Sequence, residues 1–124
     1  MKILRIHDLP RIGSSYNFVG ADHNTANSIF FVEAEPGRGA PLHIHEYDEI
    51  LILLEGKSRL VLNDEIHEAD PGEIHVIKAG TPHGFLNIGD GILKQIDIHA
   101  NERFTQTNLE PTETSLRAGL PNPK

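Results

Sequence analysis

His43, His45, Glu49 and His83 combine residue types and a spacing that suit one bound metal ion. Imidazole nitrogens and a carboxylate oxygen are ordinary ligands of divalent first-row transition metals. Three neutral imidazoles and one carboxylate leave such an ion with a net charge of about +1 and with open positions. An ion held in this way can polarise an enolate, phenolate or carboxylate oxygen as a Lewis acid, with dioxygen a natural second occupant. The ligand set does not choose among Fe(II), Mn(II), Ni(II), Co(II), Cu(II) and Zn(II), because affinities along that series leave loading to supply as much as to geometry.

These side chains meet only if the chain places them. Residues two apart on a strand share a face, which sets His43 beside His45. Glu49 lies four residues further, about 13 Å along an unbroken strand and too far to share the ion, so the chain must turn at Glu46-Tyr47-Asp48. The apolar run Ile50-Leu51-Ile52-Leu53-Leu54 follows, and Glu55-Gly56 ends it. His83 comes after a Gly80-Thr81-Pro82 turn, 34 positions beyond Glu49. It joins the set only in a sheet that folds back on itself, as a barrel does.

The two blocks read Gly37-x5-His43-x-His45-x3-Glu49-x6-Gly56 and Gly72-x5-Lys78-x-Gly80-x2-His83-x3-Asn87. They resemble the paired motifs of the cupin superfamily, in which the second block carries Pro where this chain has Lys78. The resemblance implies an all-β, jelly-roll-like double-stranded β-helix barrel with one divalent metal inside, held by His43, His45, Glu49 and His83. It further implies a small-molecule ligand or substrate and a homodimer. The leading functional expectation is a metal-dependent, dioxygenase-like enzyme acting on a small oxygen-rich molecule. Glu49 is the candidate catalytic residue, able to serve as a base on leaving the ion. Isomerase or decarboxylase chemistry at the same centre, or a noncatalytic sensor or storage role, are the alternatives. Lys78 replaces a turn residue rather than a ligand and is expected to be solvated.

Around the centre, Leu51 and Leu53 share the Glu49 face by parity, Phe85 neighbours His83, and Tyr47 lies in the turn; all four are candidate pocket residues. Gln95, Asp97 and His99 alternate with Ile96 and Ile98, so one face of that strand is polar. It lines either the interior or the solvent side, since alternation alone does not say which. His67 and His75 are expected at the surface or the core edge, with no spacing that ties them to the centre. His7 and His23 are expected at the surface. Gly37, Gly56, Gly72 and Gly80 read as turn residues.

Strands are predicted at 2–6, 27–34, 41–45, 49–55, 57–63, 65–69, 73–78, 82–88 and 91–99. Asn63-Asp64 and Gly89-Asp90-Gly91 read as hairpin turns between them. Residues 1–100 are read as a single barrel and 101–124 as a C-terminal tail, with one or two helical turns at 112–118 and a mobile Pro121-Asn122-Pro123 end. With 124 residues the chain suffices for one core, and it has no Cys for a disulfide or for the cysteine-tyrosine crosslink of some thiol-oxidising cupins. The net charge of −7 with scattered Lys and Arg argues against nucleic-acid binding. No apolar stretch approaches membrane-spanning length and the charged start is too short for a signal peptide, which makes cytoplasmic the default location.

Overall fold

The computed structural model describes residues 1–122. Its strands are β1 (Arg11–Ile12), β2 (Ser15–Phe18), β3 (Ser28–Ala34), β4 (Gly39–Ile44), β5 (Glu49–Glu55), β6 (Ser58–Leu62), β7 (Glu65–Ala69), β8 (Ile74–Ile77), β9 (His83–Asn87), β10 (Leu93–His99) and β11 (Thr107–Asn108). A short helix, α1 (Glu113–Ala118), follows. The strands form two antiparallel sheets, ordered β1-β2-β3-β10-β5-β8 and β11-β4-β9-β6-β7. Along β3 and β10 every second side chain is buried, as expected of strands with one face on a core. Val32, Ala34, Leu51, Leu53, Leu60, Ile77, Phe85 and Leu93 fill the space between the sheets.

One irregularity places the first histidine. Ala40 pairs with Phe85 and His43 with His83, so three steps along β4 match two along β9. This extra residue is a β-bulge, the setting in which a sheet tolerates a proline such as Pro41. Three residues apart on a regular strand face opposite ways, but the bulge lets Ala40 and His43 both point between the sheets while Leu42 turns outward. The strands approach closely just before it: a Cβ on Gly39 would stand 1.9 Å from the Phe85 carbonyl oxygen. Only glycine lets β4 and β9 pair there.

Asn87 fastens the opposite end. Its amide donates to the carbonyls of Ala34 and Gly91, both at 2.9 Å, and its side-chain oxygen accepts from Gly89 N–H at 2.9 Å. It thereby fixes the connection that carries the chain from β9 in one sheet to β10 in the other. The Gly89-Asp90-Gly91 segment is therefore a crossover between sheets, not the hairpin turn that its composition suggests. Asn63-Asp64 is the tight turn expected, joining paired Leu62 and Glu65, with Asn63 at φ 53°. Gly37, Gly56, Gly72 and Gly80 have φ of 83°, 95°, 93° and 80°, as their reading as turn residues requires.

The ends differ from expectation. Residues 2–6 form no strand; the first regular element is a 3-10 turn at Ile6–Asp8. One edge of the six-stranded sheet is formed by the β1–β2 hairpin, whose polar Ser15-Tyr16-Asn17 sequence carries little strand signal. Instead Leu4, Ile6 and Leu9 line a shallow groove with Phe18, Ile29 and Phe31 on the outside of the six-stranded sheet. Beyond residue 100 the chain returns: β11 pairs with β4, and α1 covers the outer face of the five-stranded sheet, where Ala118, Leu42 and Val61 are buried together. Thr112 and Ser115 cap the start of α1 reciprocally, and Arg59 donates to the Ala118 carbonyl at its end. Pro123, in the end expected to be mobile, lies outside the described residues.

Replacing Asn87 with Ala removes three buried or half-buried hydrogen bonds and should lower the free energy of unfolding by about 2 kcal/mol. Urea denaturation measures this. An unchanged midpoint would show that the crossover does not depend on that side chain.

Candidate metal centre

The centre sits where β4, β5 and β9 meet inside the barrel. His43 and His83 are direct cross-strand partners, Glu49 opens β5 after the Glu46–Asp48 bend, and His45 lies just past the end of β4. All four are buried, with exposures of 3 or 4 %. Their candidate ligand atoms lie within 4.8 Å of one another. Ligands opposite each other on an ion at about 2.1 Å would be about 4.2 Å apart, so small side-chain adjustments bring the set onto one cation.

Hydrogen bonds at the far side of each ring set its chemistry. Nδ1 of His43 lies 2.6 Å from the Pro41 carbonyl oxygen, that of His45 2.7 Å from Thr105 O, and that of His83 2.8 Å from Thr81 O. A carbonyl only accepts, so each Nδ1 carries a proton and each ring turns its Nε2 to the interior. Burial, with the neighbouring His83 and His45, pushes the His43 pKa down to about 3 and keeps that ring neutral.

Those nitrogens face an acid. Glu49 Oε1 lies 2.9 Å from His83 Nε2 and 3.2 Å from His45 Nε2, and the latter atom has no hydrogen-bond partner among the described residues. Burial alone would raise the Glu49 carboxyl, yet a proton on the His45 or His83 Nε2 beside it holds it well below the usual carboxylate range. A neutral Nε2 facing that carboxylate in a dry site is an acceptor against an acceptor, and the two repel. A single proton relieves one such pair, whereas one cation satisfies all four residues and the orphaned nitrogen together. On these grounds the residues fit a divalent transition metal.

The polar face of β10 points inward. Gln95, Asp97 and His99 are 2 to 6 % exposed, while Ile96 and Ile98 face outward. His99 pairs with Glu49 in register, and its Nε2 stands 3.5 Å from Glu49 Oε2 without a hydrogen-bond partner among the described residues. Its Nδ1 meets the Tyr47 hydroxyl at 3.0 Å, and that hydroxyl donates to Thr105 O at 3.2 Å. Burial lowers the His99 pKa to about 4 and raises the Tyr47 phenol to about 12. Asp97 accepts from the Gln95 amide at 2.8 Å. Burial, reinforced by the Glu49 charge, drives the Asp97 pKa well above the ordinary value and favours the neutral acid.

The remaining candidates divide. Leu51 and Phe85 line a cavity of about 400 Å³ over the centre, with Phe30, Val32, Phe104 and Gln106. Leu53 does not line it: two residues deeper along β5, it is fully buried in the core. Tyr47 stacks on the His45 ring at 4.8 Å and acts from behind the histidines rather than on the cavity wall. Lys78 is exposed and bonds Asp48 at 2.8 Å, away from the cavity. His67 and His75 do not join the centre but meet each other at Glu73. Motif reading missed Phe104, whose ring lies 4.9 Å from Phe30 over the cavity, and the carbonyls of Pro41, Thr81 and Thr105. A backbone acceptor has no letter in a sequence, and Phe104 falls where alternation has ended.

Among known proteins, the chain is 31 % identical over 86 residues to the HTH-type transcriptional activator RhaS of Mannheimia succiniciproducens. That match covers 69 % of this chain, which spans about a third (32 %) of the regulator's length. Its fold superposes on oxalate decarboxylase of Bacillus subtilis with a TM-score of 0.75 at 20 % identity, covering 85 % of this chain and 31 % of that one. It matches the polyketide cyclase RemF of Streptomyces resistomycificus with a TM-score of 0.72 at 24 % identity, covering 93 % and 89 %. Residues 30–99, which hold both motif blocks, the four clustered side chains and the inward face of β10, match the cupin domain model, and the chain therefore belongs to the cupin domain family.

Proposed function

We propose that the chain is a metal-dependent enzyme acting on a small oxygen-rich molecule, with dioxygenase-type oxidation as the leading assignment. The observation that carries this reading is the pair of titratable groups, Asp97 and His99, that enter the cavity beside the four candidate ligands. A site built only to grip a ligand has no need of them. When bound, the metal would supply Lewis acidity toward an oxygen of the substrate. The rest falls to the protein. His43, His45, Glu49 and His83 hold the ion, Phe30, Leu51, Phe85 and Phe104 exclude water around an apolar body, and Gln106 offers an amide at the wall.

Asp97 and His99 have protonation states pushed in opposite directions, the arrangement that supplies an acid and a base at one pH. His99 Nε2, bare and neutral, accepts a proton from a substrate hydroxyl. Asp97, with Oδ1 engaged by Gln95, offers a proton from Oδ2. Glu49 remains the candidate base among the ligands. Isomerase or decarboxylase chemistry would use the same groups. The likeness to a transcriptional activator favours a second reading, a cupin that binds a small molecule without converting it.

Three experiments separate these readings. Replacing His45 with Ala removes one ligand and should lower metal affinity by orders of magnitude; metal content per chain unchanged after dialysis would refute its role. Oxygen-uptake and product screening of the loaded protein with flavonols, diketones and hydroxylated aromatics should reveal turnover. Binding without conversion across that panel would decide for the sensor reading. Asp97→Asn and His99→Gln should then lower kcat at least tenfold, within the range typical of acid–base groups, and leave the metal content intact. Full activity in both would remove them from the mechanism.

The protein also acts as a homodimer in this reading. On the outside of the six-stranded sheet the register lines up two apolar rows, Phe18-Ile29-Ile98-Ile50-Val76 and Tyr16-Phe31-Ile96-Ile52-Ile74. Ile74 and Val76 are each 63 % exposed. Leu4, Ile6 and Leu9 of the same chain flank the Phe18, Ile29 and Phe31 end of this face, so the Ile74–Val76 end is the part that a second copy would cover about a two-fold axis. Sedimentation should give a dimer for the native chain and a monomer for Ile74→Lys/Val76→Lys. A native monomer would refute this.

A further inference from the structure

A second group of metal-binding side chains stands apart from the buried centre, at the open seam between the sheets. β7 ends the five-stranded sheet and β8 ends the six-stranded one, and the turn from Asp70 to Glu73 carries the chain between them. His67 on β7 pairs in register with core residue Leu60, and His75 on β8 pairs with core residue Leu51. By strand parity both imidazoles therefore lie on the inner faces of their sheets, at the edge where the core gives out.

They converge on one atom. Nε2 of His67 and Nε2 of His75 each lie 2.8 Å from Glu73 Oε1, with ring centroids 5.7 Å apart. Candidate ligand atoms of all three residues lie within 4.8 Å of one another. The carboxylate is positioned before any ion arrives: Oε2 accepts from Asp70 N–H at 3.1 Å, and the Glu73 carbonyl accepts from Leu53 N–H at 3.1 Å. The imidazoles beside it lower the Glu73 carboxyl to about 2, so it is ionised throughout the neutral range. Two imidazoles and one carboxylate are a borderline donor set, suited to Zn(II), Cu(II) or Ni(II) and poorly suited to Mg(II) or Ca(II), which prefer oxygen.

We propose that His67, Glu73 and His75 form a second divalent-cation site, for Zn(II), Cu(II) or Ni(II), that fastens the β7 edge of one sheet to the β8 edge of the other. Each imidazole now donates from Nε2 to the carboxylate. On binding, each ring gives up its Nε2 proton, carries one at Nδ1 and turns the Nε2 lone pair to the ion, Glu73 Oε1 supplies the third protein ligand, and water fills the open positions. His67 is 54 % exposed at its side chain, so an ion reaches the site without disturbing the core.

Titration with Zn(II) alone, followed by calorimetry and by thermal unfolding, tests this. The native chain should bind two equivalents and His67→Ala/His75→Ala one. His45→Ala, with its buried centre crippled, should still bind one and gain thermal stability from it. The milder His67→Gln in the His45→Ala background should weaken that remaining site at least tenfold, a ligand costing no less than the outer partner of a ligand does. Two equivalents retained by His67→Ala/His75→Ala, or no Zn(II) binding by His45→Ala, would overturn the proposal. Failure of the buried centre alone would look different: His45→Ala would match the native stoichiometry while His67→Ala/His75→Ala still lost one equivalent.

Discussion

Three hydrogen bonds from ring Nδ1–H to backbone carbonyls are what the centre depends on. Through them Pro41, Thr81 and Thr105 decide which nitrogen of each histidine carries the proton and where the other one points. Without them the imidazoles could rotate or change tautomer, and no common focus would exist. Two of these acceptors lie two residues before the histidine they hold, so the β4 bulge and the turn before β9 build them. The third comes from 60 residues away in sequence, which makes the closing of the barrel by residues 101–108 part of the centre.

The fold serves that focus by controlling parity. Period two would send residues three apart to opposite faces, and the bulge at Pro41 corrects the count so that the histidine strand keeps both an apolar lining residue and a ligand inside. On β5 and β10 no correction is needed. Glu49 and Leu51 on one, and Asp97 and His99 on its neighbour, fall on the inner face by alternation, with Glu49 opposite His99.

Much of this was legible in the residues. Eight of the predicted strands lie where the apolar alternation puts them, because those strands have one face on a core and the pattern records it. Residues 2–6 misled because they are rich in apolar side chains without being part of a sheet: Leu4 and Ile6 lie across the outside of the six-stranded sheet instead. The gathering of His43, His45, Glu49 and His83 followed from spacing. Whether Gln95, Asp97 and His99 faced in or out did not, since both faces of β10 make a consistent strand and only the neighbouring sheet distinguishes them. Leu53 shows where parity stops being enough, for it shares a face with Leu51 but lies too deep to touch the cavity.

Thr105 accepts from both His45 and Tyr47 through its peptide oxygen. Any residue at position 105 would present the same oxygen, so substitutions there leave the centre intact, whereas adding or deleting one residue between Ala100 and β11 would carry the acceptor out of reach. Position 105 is therefore free in composition while the segment around it is fixed in length, and the contour of that segment acts as a part of the centre that the side chain at 105 does not represent.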